Sequence, residues 1–352
     1  MNWIVNEIDI DDIQFSARDK PRCDINHFLV DEGFSSIDIK FVEDREKASI
    51  FKKAFNHFLV KNNWLNVLKH LKKDDNIVIQ FPVKNHTFLF SSVINNLKSK
   101  GVNVIGVIHD LEIIRNSKHA DNFVQKIRIE FEEIKSLKEF DKLIVHNEKM
   151  KNFISERLDI DANRMISLDI FDYLVDGDNK NTNVDDSVVI AGNFKGIKAS
   201  YIYNLPKNVN FNLYGINFDE NYQSNNINYC GSFHPDKIAN TLKGKYGLVW
   251  DGNSTSTCSG SHGEYLRYNN PHKTSLYLAS GLPVIIWDNA AIAKFIIDNN
   301  CGICIDNLDN LSSVIAKVDD NKYQEMLDNV NRVSKLIKSG HYIKKAIKKC
   351  LG

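Results

Sequence analysis

Tyr246-Gly247-Leu248-Val249-Trp250-Asp251, then Pro271-His272-Lys273-Thr274-Ser275-Leu276-Tyr277-Leu278-Ala279-Ser280-Gly281, then Pro283-Val284-Ile285-Ile286-Trp287: these three runs decide the fold. The first and third are short, apolar and rich in β-branched and aromatic residues, as strands buried on both faces are. The middle run opens with Pro and stops at Gly281, the punctuation of a helix. Strand, helix and strand at this spacing make a βαβ unit, which predicts a parallel sheet.

The same alternation extends along the chain in both directions. Upstream it gives strands at Trp3 to Ile8, Ser36 to Phe41, Asn76 to Phe81, Val102 to Ile108, Lys142 to Val145 and Met165 to Leu168. Helices are expected between them at Arg22 to Glu32, Glu46 to Lys72, Thr87 to Lys100, Ala120 to Leu137 and Glu148 to Arg157. A polar stretch without periodicity, Asp176 to Asn183, then interrupts the pattern as a linker does. After it the alternation restarts, with strands at Ser187 to Ile190, Asn210 to Tyr214, Asn228-Tyr229, Tyr246 to Trp250, Pro283 to Trp287 and Gly302 to Ile305. Helices are expected at Pro235 to Leu242, Pro271 to Ser280, Ala290 to Asn299 and most of Tyr323 to Cys350. At 352 residues two cores are the natural expectation. We place a first α/β domain at 1–175, a linker at 176–186, a second at 187–325 and a helical segment at 326–352.

Bulk composition narrows the function by exclusion. Lys+Arg and Asp+Glu both number 45, so net charge gives no reason to expect a nucleic-acid partner. No apolar run reaches the ~18–20 residues of a membrane span, and the first residues read as a strand rather than a secretory signal. A cytoplasmic protein is the resulting expectation. The six cysteines are scattered, and Cys301-Gly302-Ile303-Cys304 lacks a second ligand pair, so no metal site is expected.

In open α/β sheets ligands sit beyond the carboxyl ends of strands, against helix N-termini. Four such corners carry polar residues that packing does not require. At the first, Asn269-Asn270-Pro271-His272-Lys273-Thr274-Ser275 follows a long polar loop from Asp251 to Gly263. Asn270 is expected to cap the helix, with Pro271 in its first turn. The N–H groups of that turn, the Lys273 charge and the Thr274 and Ser275 hydroxyls suit an anion, and a diphosphate is the natural guest without a metal. The bland reading is a capped helix with a solvated lysine. At the second, Gly192-Asn193-Phe194-Lys195-Gly196-Ile197-Lys198 places two cations in a glycine turn, and Tyr229 ends a strand where it could stack on a base. At the third, His109-Asp110 after Ile108 offers a general base, or simply a helix cap. At the fourth, Asp11 to Arg18 follows the first strand and supplies Ser16. Two local excesses of lysine, Lys52 to Lys73 and Lys335 to Lys349, read as solvated helix faces or as docking on an anionic membrane surface.

These corners resemble a known family. Tyr246 to Gly252, Thr257-Cys258-Ser259-Gly260 and Asn269-Asn270-Pro271-His272-Lys273-Thr274-Ser275-Leu276-Tyr277-Leu278 closely resemble bacterial β-1,6-galactofuranosyltransferases of O-antigen and capsule synthesis. Ile170 to Val175, Ala191-Gly192-Asn193, Pro283 to Asp288 and Ile108-His109-Asp110 extend the likeness over essentially the whole chain. A more distant resemblance is to the glucosyltransferases that extend O-GlcNAc on serine-rich-repeat adhesins. The resemblance implies a GT-B glycosyltransferase fold, two Rossmann-like domains facing each other across a cleft. It also implies inverting transfer from a UDP-sugar to a glycan hydroxyl, on an acceptor that is lipid-linked in the favoured reading.

Carried onto this chain, the resemblance implies UDP contacts at Ser16, at Tyr229 and at Lys273, Thr274 and Ser275; its relatives carry an Arg in the turn after the second domain's first strand, where this chain has Gly196, so Lys195 or Lys198 stands in for it. From the corners themselves we add Asn193, Asn270 and His272 to the UDP site, assign Asp251, Ser259 and Glu264 to the donor sugar, and expect Asp110 or His109 to be the base. Galactofuranose is the favoured donor sugar. Glucose or galactopyranose on a protein- or lipid-linked glycan, a non-catalytic partner subunit, and a homo-oligomer all stay open.

Overall fold

The computed structural model of the chain describes residues 1–8, 19–41, 50–115, 126–127, 129–177 and 185–352. It contains two six-stranded sheets, and every strand pair in both is parallel. The first holds β1 (Asn2–Ile8), β2 (Ser35–Lys40), β3 (Asn76–Phe81), β4 (Asn103–Ile108), β5 (Lys142–Val145) and β6 (Met165–Ser167), in the order β2-β1-β3-β4-β5-β6. The second holds β7 (Val188–Asn193), β8 (Phe211–Ile216), β9 (Ile227–Tyr229), β10 (Tyr246–Val249), β11 (Val284–Trp287) and β12 (Gly302–Ile305), in the order β12-β11-β10-β7-β8-β9. Counted from β7, the second order is the Rossmann order 3-2-1-4-5-6 read from the other side.

Central strands such as β3 and β10 are buried along nearly their whole length, which is why they read as unbroken apolar runs. The edge strand β2 instead alternates, with Ile37 and Ile39 buried and Asp38 and Lys40 exposed.

The chain forms two compact units that are not contiguous in sequence. One comprises Met1–Ile13, Ile25–Leu168 and Ile343–Gly352, the other Gln14–Asp24 and Asp169–Tyr342. The core of the first is built on Trp64, Phe81, Phe90 and Phe140, with the Trp64 and Phe90 rings edge to face at 4.9 Å. The core of the second is built on Trp250, Trp287, Tyr246 and Tyr277.

Several expected elements differ in detail. Pro271, not Asn270, is the N-cap of the helix His272–Ala279: its φ of −63° and ψ of 130° are extended. Asn270 stands one residue before the cap, and its Nδ2 donates to the Asp169 carbonyl at 2.9 Å. The polar run after Trp250 contains a short helix, Gly260–Tyr265, and Gly252 N–H donates to the Lys198 carbonyl at 2.7 Å. The helix expected from Pro235 ends at Ile238, and the one expected from Ala290 begins at Ala293. The helix expected over Glu46 to Lys72 is seen as Ile50–Val67 followed by the tighter turn Leu68–His70. The described part of Ala120 to Leu137 is a π-helical turn, Ile129–Ile134, running into the helix Lys135–Glu139.

Tyr277 fixes where the Pro271 helix lies. Its hydroxyl accepts from Ala191 N–H in β7 at 2.7 Å, and its ring covers Gly247 in β10. A Cβ at Gly247 would stand 2.2 Å from that ring. Gly247→Ala is therefore expected to cost about 1–3 kcal/mol in stability through overpacking. Denaturant unfolding measures it, and an unchanged midpoint would contradict this packing.

Candidate functional site

In the second unit the chain leaves β7 toward β8 on one side and β10 toward β11 on the other, so β7 and β10 flank the topological switch point. Ligands of α/β sheets bind outside the carboxyl ends of strands at such points. The residues after β7 and after β10 are brought together there, held by the Gly252-to-Lys198 bond.

Lys273 lies in the first turn of the helix His272–Ala279. Its Nζ donates to the Trp250 carbonyl and to Asp251 Oδ1, both at 2.8 Å, and both side chains of the ion pair are largely buried. The lysine expected to offer an unshared charge is thus already paired. Among the described residues no side chain caps this helix. Thr274 is fully buried, and its Oγ1 has no hydrogen-bond partner among the described residues. His272 Nε2 is in the same condition. Buried hydroxyls and imidazoles without partners are uncommon, and here two occur in one helical turn. Burial holds His272 neutral, its pKa pushed down to about 3, and Tyr173 stacks on its ring at 4.9 Å. Ser275 is committed elsewhere, its Oγ donating to the Phe171 carbonyl at 2.7 Å.

Beyond β7, Asn193 Oδ1 accepts from Lys195 N–H at 3.0 Å and from Asn217 Nδ2 at 2.9 Å, which sets the turn. Lys195 is exposed and Lys198 half-buried. Tyr229 Oη donates to the Gly215 carbonyl at 2.8 Å, and its ring stacks on Phe218 at 5.0 Å. Phe218 also stacks on Tyr203, so the expected lone aromatic is part of a cluster. In the polar run, Ser259 Oγ donates to Asn253 Oδ1 and Glu264 Oε2 accepts from Arg267 Nε at 3.2 Å. The Arg267 guanidinium lies 4.5 Å from the centre of the Trp287 ring. Burial pushes the thiols of Cys301 and Cys304 up to about 12 and about 11, which keeps them protonated and unreactive.

In the first unit, His109 and Asp110 follow β4. His109 Nε2 and Gln80 Oε1 are 2.8 Å apart, while the Gln80 amide donates to Asn26 Oδ1. Asp110 is half exposed and pairs with Arg115 at 2.6 Å. Ser16 lies outside the described residues. His146, after β5, carried no signal in the sequence, since a single histidine past a strand is unremarkable. It is 1% exposed, and hydrogen-bonds the backbone of Ile108 and His109, bracing that turn.

Two Rossmann-like units in one chain, each built on a six-stranded parallel sheet, make the GT-B fold. The family description "Glucosyltransferase 3-like, N-terminal domain" matches residues 1–170, and its C-terminal counterpart matches residues 188–350. The chain belongs to this glucosyltransferase 3-like family. It is 32% identical over 288 residues to the β-1,6-galactofuranosyltransferase WbbI of Escherichia coli (strain K12), covering 80% of each chain. It is 24% identical over 275 residues to glucosyltransferase 3 of Streptococcus gordonii, covering 78% of each. Among solved structures, sucrose-phosphate synthase (tll1590) from Thermosynechococcus elongatus superposes with a TM-score of 0.63 at 10% identity, over 99% of this chain and 97% of that one. That likeness is one of fold.

Burial holds the His146 pKa down at about 4, against an ordinary 6.5. The unfolded chain then binds the extra proton between those values, so this stabilisation is present above pH 6.5 and is lost as pH falls toward 4. The loss is roughly 3 kcal/mol. His146→Asn is expected to flatten that part of the stability–pH curve relative to the parent. Parallel slopes in the two proteins would contradict it.

Proposed function

We propose that the chain transfers a hexosyl residue, galactofuranose first, from a UDP-sugar to a hydroxyl of a growing bacterial surface glycan, with inversion and without a metal. One observation carries the reading. The helix start at the switch point of the second unit has no side-chain cap, holds Lys273, and buries Thr274 Oγ1 and His272 Nε2 without partners among the described residues. Those groups suit a diphosphate, which can accept from all of them and meets the positive end of the helix dipole.

Its arrival exchanges one partner of Lys273 for another. The phosphate oxygens draw Nζ, and the Asp251 carboxylate turns to a sugar hydroxyl. Lys195 and Lys198 add positive charge from the β7 turn, where Asn193 shapes the backbone. Together these cations stabilise the UDP leaving group as the glycosidic bond breaks. The Tyr229–Phe218 stack gives the uracil a flat apolar partner. Asn270 and Ser275 hold the helix start in place through Asp169 and Phe171. Ser259 and Glu264 border the sugar, and the resemblance adds Ser16.

Galactofuranose is favoured by the name of the E. coli relative, and a glucosyl donor, the second reading, by that of the S. gordonii relative. On the acceptor side, Asp110 or His109, which follow β4, is the base that takes the proton of the incoming hydroxyl. No helix among the described residues is long and apolar enough to cross a membrane. A lipid-linked acceptor instead suits a surface contact through Phe55, Phe58 and Leu59, all exposed on the helix Ile50–Val67. In the other lysine-rich region, Lys344 and Lys348 pair with Glu32 at 3.2 and 3.7 Å, so those two charges are spent within the protein.

Lys273→Ala is expected to weaken UDP binding about 10- to 100-fold, the worth of one charge-assisted hydrogen bond. Calorimetric titration with UDP measures it, and unchanged affinity would remove Lys273 from the donor site.

A further inference from the structure

A line of side-chain hydrogen bonds crosses the first sheet from Asp38 to His109. Asn6 Nδ2 donates to Asp38 Oδ1 at 2.9 Å, and Asn26 Nδ2 donates to Asn6 Oδ1 at 2.8 Å. Gln80 Nε2 donates to Asn26 Oδ1 at 2.9 Å, and Gln80 Oε1 stands 2.8 Å from His109 Nε2. Asp38 lies on β2, Asn6 on β1 and Gln80 on β3, and His109 follows β4, which is the order of those strands in the sheet. Asn6 and Asp38 are register partners, and Asn26, on the helix Lys20–Asp31, links β1 to β3. All five residues belong to the first unit.

Packing gives little reason for such a line. Gln80 is 4% exposed and interrupts the apolar run Ile77-Val78-Ile79 before Phe81. A buried carboxamide costs free energy unless it is hydrogen-bonded, and an aliphatic side chain would pack in the strand without that cost. Bonds in a chain also polarise one another, so the members strengthen together. At the far end the turn is held by its backbone, since His109 N–H donates to the Phe81 carbonyl at 2.8 Å.

The line has a direction. A carboxamide is a donor on one side and an acceptor on the other, whereas an ionised carboxylate only accepts. Asp38, exposed on the edge strand, therefore draws the NH2 group of Asn6. That leaves Asn6 Oδ1 to accept from Asn26, Asn26 Oδ1 to accept from Gln80, and Gln80 Oε1 to accept from the ring. The imidazole by itself fits either direction, because a ring nitrogen can donate or accept. The carboxylate decides it, and the nitrogen facing Gln80 Oε1 carries a proton. Reversing the line would set the Asn6 carbonyl oxygen against the Asp38 carboxylate.

We infer that Asp38 is a positioning residue for His109: through Asn6, Asn26 and Gln80 it keeps a proton on Nε2 of that imidazole. A ring that keeps its Nε2 proton changes charge at Nδ1, so a carboxylate on the edge strand selects which nitrogen of a candidate base titrates. That bearing on the transfer rests on the reading of the chain as a UDP-sugar transferase.

The test is nuclear magnetic resonance of the full chain carrying isotopically labelled histidine, without substrate, at about pH 8, where an ordinary imidazole is neutral. His109 is assigned by the signals that His109→Gln removes. In the parent, the nitrogen shifts are expected to show Nε2 protonated. Asp38→Asn lets the line run either way and is expected to lower the ratio of Nε2–H to Nδ1–H rings about 10-fold, the worth of one charge-assisted hydrogen bond. Asp38→Glu keeps the carboxylate and is expected to hold the parent ratio. Asp38 is exposed, so both variants are expected to melt with the parent. A parent ring protonated on Nδ1 and not Nε2 would overturn the inference, as would a parent ratio in Asp38→Asn. Loss of the fold in both variants would also overturn it, by making Asp38 structural. A parent that neither binds nor releases UDP would sink the transferase reading, while a shifted ratio in Asp38→Asn would still uphold the line.

Discussion

Parallel pairing is the constraint on which the rest of this structure depends. Every strand in both sheets runs the same way as its neighbours, so all strand carboxyl ends collect along one edge of each sheet. The polar residues that follow the strands are gathered there however far apart they lie in sequence. In the second unit this brings the turn after β7 against the segment after β10. In the first it gathers the segments after β3, β4 and β5. Strand order then marks one point on each edge, between β7 and β10 and between β1 and β3, where the connections diverge and a ligand can enter.

Charge at these edges is managed by pairing. Lys273 is held by Asp251 and the Trp250 carbonyl, Glu132 by His86, and Glu133 by two backbone N–H groups. Each partner lowers the cost of keeping an ionisable group out of water. The pairs differ in what they leave for a substrate. The Lys273 pair is made of two groups that a diphosphate and a sugar hydroxyl can each engage separately, so binding can replace it without stranding a charge. The His86 pair is asymmetric, the Glu132 side chain being 2% exposed and that of His86 37%.

Much of the fold was legible because buried parallel strands cannot hide. Ile77-Val78-Ile79 and Val284-Ile285-Ile286 are apolar on both faces, and Pro271 and Gly281 bracket their helix. The helix cap was not legible: Asn270 has a capping residue's chemistry but stands one residue before the cap, its Nδ2 donating to Asp169, about a hundred residues earlier in the chain. The Lys273–Asp251 pair spans 22 residues and the His86–Glu132 pair spans 46, and neither leaves a local pattern. The π-helical turn that aims Glu132 and Glu133 reads in sequence as two ordinary helix-surface acids. His146 was overlooked for the same reason, since its role comes from the backbone turn it braces. Local periodicity specifies elements, while tertiary pairing decides which polar side chains are spent on structure and which remain for chemistry.

The most direct test of the account is a crystal structure of the chain with UDP. The diphosphate is expected at the Pro271 helix, with phosphate oxygens within hydrogen-bond distance of Lys273 Nζ and Thr274 Oγ1 and the uracil against Tyr229. UDP bound elsewhere, or bound with the Lys273–Asp251 pair intact and no phosphate contact to that helix turn, would contradict it.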